Sequence, residues 1–398
     1  MPRHRPKPIG VLRASSSVIS RSGYAPRVER YTVVICGGGI AALEGLLRLR
    51  KLTGEALAVK LLAPNAEFRY RPLAVDEPFA LRGVRRYPLR RIAARTGAEW
   101  VQDAAVAVDP QAQKVETADG HQIGYDALLL AVGGKLTNPF EHVTLFDDAN
   151  ADDAYHGLVQ DVEGGYTRSI ALVLPEGPAW LLPAYELALM TAVRAESMGE
   201  EGLSVNVVTP EPGPLAALGE GASTAVSELL ERERVRVHAG ARPQVPANRR
   251  VMVRPEGPEL EVGRIVALPR IDGRPLRNVP VADNGFVPVD ELSRVPDMAE
   301  HVYAAGDATN LPLKHGGLGA QQADVAAAGI AKLAGAPVEP EPLRAVVRGV
   351  LHTGRAPLYL TATLRDGRVE SEASWEPAWP PDEKVVAEEL GPFLRSLD

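Results

Sequence analysis

The tightest constraint on this chain is the run Val33-Val34-Ile35-Cys36-Gly37-Gly38-Gly39-Ile40-Ala41-Ala42, which stops on three glycines and restarts as Leu43-Glu44-Gly45-Leu46-Leu47-Arg48-Leu49. It predicts a buried strand, a tight turn and a helix. Gly37-x-Gly39-x-x-Ala42 has the G-x-G-x-x-A spacing of a dinucleotide fingerprint. The first glycine permits the turn, the second lets a pyrophosphate approach the backbone, and the small third residue lets helix and strand pack closely. The free N–H groups and positive dipole end of the new helix then face an anion. A glycine turn in an ordinary strand-helix unit looks the same, so the string gains meaning only from what accompanies it.

Two further pieces do accompany it. Val302-Tyr303-Ala304-Ala305-Gly306-Asp307-Ala308 predicts a second short strand, followed by Lys314-His315-Gly316-Gly317-Leu318-Gly319 and an alanine-rich helix over 320–331. Between them, Ala127-Leu128-Leu129-Leu130-Ala131-Val132-Gly133-Gly134 is the continuous apolar run of a strand buried on both faces. In this order the pieces resemble the FAD-dependent oxidoreductases with two dinucleotide-binding domains, the pyridine nucleotide-disulfide oxidoreductase type. Within that class they look like the type II NADH dehydrogenase and sulfide:quinone reductase group, over residues 31–340. The resemblance implies an α/β fold of two Rossmann-like (FAD/NAD(P)-binding) domains with three-layer β-β-α character, plus a small α+β C-terminal module. The expected division is a disordered extension over 1–29, an FAD-binding domain over 30–149 and 276–340, a degenerate NAD(P)-binding-like domain over 150–275, and a hairpin-helix module over 341–398.

By the same resemblance, FAD is held by Gly37, Gly39, Ile40, Ala41 and Ala42 at its pyrophosphate, with Arg71, Val101, Gly133, Gly306, Asp307, Lys314 and Gly319 completing the set. Asp307 is expected to accept hydrogen bonds from the ribityl chain; a capping carboxylate is the plainer alternative. The helix expected to start near Gly319 points its dipole at the edge of the flavin that gains negative charge, and Lys314 adds to that field. Lys314, Gln321 and Gln322 are the candidate catalytic residues. The glutamines align with a pair beside the quinone pocket of relatives, although an earlier glutamine of that motif falls on Gly317 here and a solvated helix face explains the pair too. His315 reads as a satisfied turn histidine.

The chain departs from the family pattern at both ribose positions. The strand Ala58-Val59-Lys60-Leu61-Leu62 runs into Ala63-Pro64 where an acid is usual, leaving Glu67 as a candidate, and Thr209-Pro210 does the same in the second domain. The second fingerprint is replaced by Pro175-Glu176-Gly177-Pro178-Ala179-Trp180-Leu181-Leu182-Pro183. Its prolines remove N–H donors that a pyrophosphate would need. With Tyr185-Glu186 following, this turn looks closer to the sulfide:quinone reductase branch. Phe68-Arg69-Tyr70-Arg71-Pro72-Leu73 resembles the segment that passes beside the flavin.

Composition closes several routes. Net charge of -7 gives no general attraction to nucleic acid or an anionic membrane, although a local basic patch stays open. No apolar stretch reaches the length of a membrane span, so the expected location is cytoplasmic, with peripheral membrane contact less favoured. Cys36 is the single cysteine, which excludes an internal disulfide, a Cys-x-x-Cys pair and a cysteine zinc site. The eight histidines show no paired ligand spacing, so no metal is expected. Sulfide-oxidising relatives attack sulfur with cysteines on the flavin face, and a thiolate is necessary for that chemistry. Cys36 lies inside the predicted fold and cannot substitute.

Secondary expectations are a β-meander over 104–117, a turn at Asn284-Gly285 into a strand Phe286–Asp290, a hairpin about Arg365-Asp366-Gly367, and a last helix from about Glu383 to Leu390. Trp375, Trp379, Phe393 and Leu394 are expected to pack on the body or on a second subunit of a homodimer, because an acidic helix suits a membrane surface poorly. The Arg/Ser bias of residues 1–29 resembles a transit peptide, with a disordered tail the plainer reading. The function expected is an FAD-dependent oxidoreductase passing electrons from a small reductant, NAD(P)H among the candidates, to a quinone-like or other small acceptor. Two alternatives stay open: a cysteine-less relative of the sulfide:quinone reductases acting on another reductant, and a non-catalytic FAD-binding electron relay or sensor.

Overall fold

Thr32–Cys36, apolar and almost wholly buried, takes the centre of a five-stranded parallel sheet. In this computed structural model, which describes residues 30–147, 151–282, 284–365, 367–380 and 383–397, the order across that sheet is Val302–Ala304, Ala127–Leu130, Thr32–Cys36, Ala58–Leu62, Glu99–Val101. Val33 lies opposite both Val59 and Ala127, so the central strand is hydrogen-bonded on both edges. The chain leaves the central strand to one side and returns to the other. That reversal opens a crevice at the carboxyl ends of the strands, where ligands bind in sheets of this kind. The extension expected over residues 1–29 and Asp366 of the hairpin turn lie outside the described residues.

A second parallel sheet of five strands has the order Thr144–Leu145, Arg264–Ala267, Ser169–Val173, Ser204–Val208, Val235–His238. Each parallel sheet is accompanied by an antiparallel meander. Ala105–Asp109, Lys114–Thr117 and Gln122–Gly124 form the expected one, and Arg242–Ala247, Arg250–Arg254 and Glu259–Glu261 form another that the sequence reading did not single out. The C-terminal hairpin, Leu358–Arg365 with Arg368–Ser374, gains a third strand, Val346–Leu351.

Helices Ile40–Thr53 and Gly316–Leu333 pack on the first sheet through Leu43, Leu46, Leu49, Ala323 and Ile330. Each such leucine contributes roughly 1.5–3 kcal/mol by leaving water. Gly54 ends the first helix at φ 57°, its N–H donating to the carbonyl of Arg50 at 2.8 Å.

Three expectations are corrected. The last helix spans Leu390–Arg395, not Glu383–Leu390. Its acidic, apolar-spaced sequence looked helical, but tertiary partners take the backbone first. Val385 N–H donates to Tyr70 Oη at 3.0 Å, and the N–H groups of Glu389 and Leu390 donate to the buried Glu44 carboxylate at 2.9 and 2.7 Å. Glu44 thereby caps the short helix that follows, and Leu394 is buried on the body. Phe286–Asp290 forms no strand beyond an isolated bridge of Val287 to Thr309, because its neighbour is the Gly306–Asp307 loop rather than a sheet edge. The glycine helix starts at Gly316, one turn before Gly319, because the His315 side chain caps it.

Candidate functional site

The first half of the site is the glycine turn. Gly37 has φ +135°, and a Cβ there would lie 2.0 Å from the carbonyl oxygen of Ala131, so only glycine fits. Gly39 is different: φ is -92°, and a Cβ would meet nothing within 4 Å. The space over Gly39 is open. The helix it starts has no side-chain cap and no acid in its first turn. The N–H groups of Ile40, Ala41 and Ala42 therefore belong to a bare helix N-terminus, the arrangement that receives a phosphate.

The second half comes from the Gly306–Asp307 loop and the glycine helix. A Cβ on Gly306 would stand 2.9 Å from Ala41 Cβ, and one on Gly319 2.9 Å from Gly306 Cα. Close approach through small residues thus brings Ala41, Gly306 and Gly319 together. Gln322, buried, accepts hydrogen bonds at Oε1 from Gly306 N–H at 3.0 Å and Thr309 Oγ1 at 3.2 Å, which fixes the loop that carries Asp307. Its Nε2 has no partner. Gln321 donates to the carbonyls of Gly317 and Val346 and accepts from Val346 N–H, tying the helix to the C-terminal sheet. Both glutamines are thus engaged by the main chain.

Burial pushes the Asp307 carboxyl above the ordinary aspartate range, opposed by the nearby Lys314 cation, by Trp180 and by Arg71. Trp180 Nε1 donates to Asp307 Oδ2 at 3.2 Å, and the Arg71 guanidinium lies 5.5 Å from the centre of the Trp180 ring. Lys314 is buried, donates to the carbonyl of Thr309, and holds its ammonium 3.6 Å from the centre of the Phe286 ring. Burial pulls its pKa down to about 8, with Asp307 working the other way. His315 Nδ1 accepts from Gly317 N–H at 3.1 Å, and burial pulls its pKa down to about 4. It is a neutral cap.

The other predicted positions lie around this centre. Gly133 has φ +71° and open space where a Cβ would be. Val101 lies at the end of its strand, with its carbonyl accepting from Ala63 and Asp103 N–H. The N–H of Gly319 donates to the carbonyl of His315 within the helix, so Gly319 contributes closeness rather than a free donor. Cys36 is fully buried with its thiol pushed up to about 12, which leaves no thiolate at neutral pH.

A cleft of about 430 Å³ lies at the carboxyl ends of the second sheet, lined by Gly177, Leu181, Glu211, Pro212, Ala216 and Leu313 among others. Glu211 stands just beyond Thr209-Pro210, where the sequence reading found no acid. Tyr185 Oη donates to Glu211 Oε2 at 2.6 Å, and burial raises the carboxyl's pKa. The sequence reading also gave no role to Trp180 or Phe286. Trp180 was visible as the only aromatic residue in the proline-rich turn; nothing local marked Phe286 as the seat of Lys314.

No family model matches the chain. It is 28% identical over 215 residues to a sulfide-quinone reductase of Aquifex aeolicus, covering 51% of this chain and 49% of that protein. It is 26% identical over 300 residues to rhodocoxin reductase of Rhodococcus erythropolis, covering 71% and 66%. The chain thus spans about half to two-thirds of the length of these curated relatives. Among solved structures, the sulfide:quinone oxidoreductase of Aquifex aeolicus superposes with a TM-score of 0.76 at 19% identity, covering 87% of each chain. This chain has the pyridine nucleotide-disulfide oxidoreductase fold. A ferredoxin reductase from Rhodopseudomonas palustris shares that fold at a TM-score of 0.61 and 18% identity, over 84% of this chain and 82% of its own.

For a protein of this fold, the residues at the first crevice fit FAD: the uncapped helix, the open space over Gly39, the half-buried carboxylate of Asp307 and the buried ammonium of Lys314 suit an anionic dinucleotide with a polyol chain. Among the described residues no cluster of His, Cys, Asp and Glu could hold a metal ion, and no helix is long and apolar enough to cross a membrane.

Proposed function

We propose that this protein is an FAD-dependent oxidoreductase that passes electrons through a bound flavin from a small reductant to a quinone-like or other small acceptor. The observation that carries the reading is the open space over Gly39 at an uncapped helix N-terminus, facing the Gly306–Asp307 loop across Ala41. When bound, FAD supplies a carrier that takes two electrons and releases them singly or in pairs. The first-turn N–H groups of Ile40 and Ala41 would hold the pyrophosphate, and Asp307 would accept from ribityl hydroxyls. Lys314 supplies a positive charge beside them. Gln321 and Gln322 act as positioning residues for this loop and helix.

NAD(P)H is the reductant to test first, because the second cleft lies where such a cofactor enters proteins of this fold and Glu211 supplies an acid near its ribose position. Sulfur attack by a protein thiolate is not part of the reading, since the single cysteine is buried.

The test separates cofactor from fold. Gly39→Val places its side chain in empty space at an ordinary φ, so the variant should fold and melt like the FAD-free wild type yet fail to take up FAD. Wild type should purify yellow or turn yellow with added FAD, then bleach on anaerobic titration with NADH or NADPH. A wild type that takes up no FAD, or a Gly39→Val variant that binds it equally well, would sink the proposal. Flavin that dithionite bleaches but nucleotide does not would reject NAD(P)H alone.

A further inference from the structure

The proline-rich turn that stands in place of a second fingerprint offers little to a phosphate, but it presents one ring in a fixed place. Pro175, Pro178 and Pro183 have no N–H, and their φ is locked. The carbonyl of Pro178 accepts from Ile271 N–H at 2.7 Å, and Ala184 N–H donates to the carbonyl of Leu181 at 3.1 Å, so both arms of the turn are tied down. Trp180 stands between them. Its neighbours Ala179 and Leu181 line the second cleft, whereas Trp180 lines a separate cavity of about 40 Å³ with Arg71, Val75, Phe146 and Leu268. The indole is thus turned from the second cleft toward the first crevice.

There it meets Asp307. Nε1 donates to Oδ2 at 3.2 Å, while the Arg71 guanidinium lies over the ring face, 5.5 Å from its centre. Lys314 bonds the backbone carbonyls of Asp307 and Thr309 rather than the carboxylate. Among the described residues the indole N–H is therefore the one hydrogen-bond donor to this carboxylate, and Oδ1 accepts from none. The last torsion of an aspartate side chain is broad. A fixed donor on one oxygen decides which way the other faces, and a carboxylate drawn from water needs a donor there.

We propose that Trp180 is a positioning residue for FAD: its indole N–H fixes the Asp307 carboxylate by Oδ2, so that Oδ1 meets the ribityl hydroxyls. The turn of the second sheet thereby helps to hold a cofactor bound at the first. The inference rests on the ribityl role of Asp307 proposed above. An indole that only filled space between the two sheets would make ring bulk matter and the N–H irrelevant.

The test is titration of the FAD-free full chain with FAD, followed by flavin fluorescence at about pH 7. Trp180→Phe keeps a ring and removes the donor. Trp180→His keeps an N–H at the equivalent position of a five-membered ring and removes the second ring. Trp180→Phe should weaken FAD binding about tenfold or more, the loss expected for a hydrogen bond to a charged group, and Trp180→His should retain most of the affinity. Both should melt like wild type without FAD. In an Asp307→Ala background, Trp180→Phe should cost nothing further, because the two residues act as one unit. The charges facing Asp307 are Lys314 and Arg71. Below about pH 7, where Lys314 with its pKa of about 8 stays charged, affinity should fall as Asp307 takes up a proton. In Trp180→Phe that fall should begin at higher pH, because the N–H that opposes protonation is gone. Trp180→Phe binding FAD like wild type, Trp180→His as weak as Trp180→Phe, or an equal loss in both Asp307 backgrounds would overturn the proposal. Asp307→Ala binding FAD like wild type would overturn the ribityl role itself, and this inference with it.

Discussion

Replacing Lys384 by Met should unlatch the C-terminal segment from the body of the protein. Lys384 is 4% exposed and Glu186 0%, with the ammonium 2.5 Å from Glu186 Oε1. The same oxygen accepts His352 N–H at 2.8 Å, and Oε2 has no partner. Lys384→Met leaves a carboxylate in the interior with one N–H donor, and Glu186→Met leaves an ammonium there with none from this pair. Removing one member of a buried pair costs about 3–5 kcal/mol. The double variant leaves only the His352 N–H unsatisfied, a cost of about 1–3 kcal/mol. The singles should therefore sum to roughly 6–10 kcal/mol against a much smaller double, far outside the ~0.5 kcal/mol within which independent sites add. Urea denaturation at fixed, saturating FAD gives the three differences, and proteolysis within 383–397 gives a local readout. Single variants costing below ~1 kcal/mol, or a double equal to their sum, would refute the claim that this pair is a desolvated latch.

Other consequences follow from the site. Gly37→Ala should fail to fold or lose several kcal/mol, because its Cβ would overlap the Ala131 carbonyl; soluble expression and thermal melting, set beside Gly39→Val, measure this. Lys314 should make stability climb between about pH 8 and the ordinary lysine range. There the unfolded chain still holds a proton the folded protein has released, and Lys314→Met should flatten the climb in melting curves. Asp324, whose carboxyl burial and nearby Glu44 raise to about 8, acts oppositely. From the ordinary aspartate range up to about pH 8 the folded protein keeps a proton the unfolded chain has lost, so its contribution falls as pH rises. Asp324→Asn should remove that fall, seen as a flatter melting profile across the window. Gln322→Leu should lower FAD affinity by loosening the loop of Asp307, read as flavin released on dilution; unchanged affinity would count against its positioning role.

What the sequence by itself determined was the part written in short-range pattern. The run from Val33 to Ala42 could only be a buried strand, a glycine turn and a helix, because continuous apolar residues need cover on both faces and the glycines allow one way out. The order of that unit, the Ala127–Leu130 run and the Gly306–Asp307 loop fixed the first sheet and located its crevice. Cys36 was legible as buried and inert for the same reason.

Only the tertiary structure decided what depends on partners far away in the chain. The segment after Glu383 has a helical pattern, but Tyr70 and Glu44, more than three hundred residues earlier, take its N–H groups and hold it in bends and a turn. Gln321 and Gln322 look like an exposed pair on a helix face, yet each is claimed by backbone that the fold brings alongside. Trp180 reaches Asp307, and Lys314 rests on Phe286, only because the second sheet and the 286–309 loop close over the first crevice. Local pattern fixes which backbone groups can pair with near neighbours. Where a buried side chain finds its partner is settled by packing, since an unpaired buried charge or N–H is costlier than any local preference.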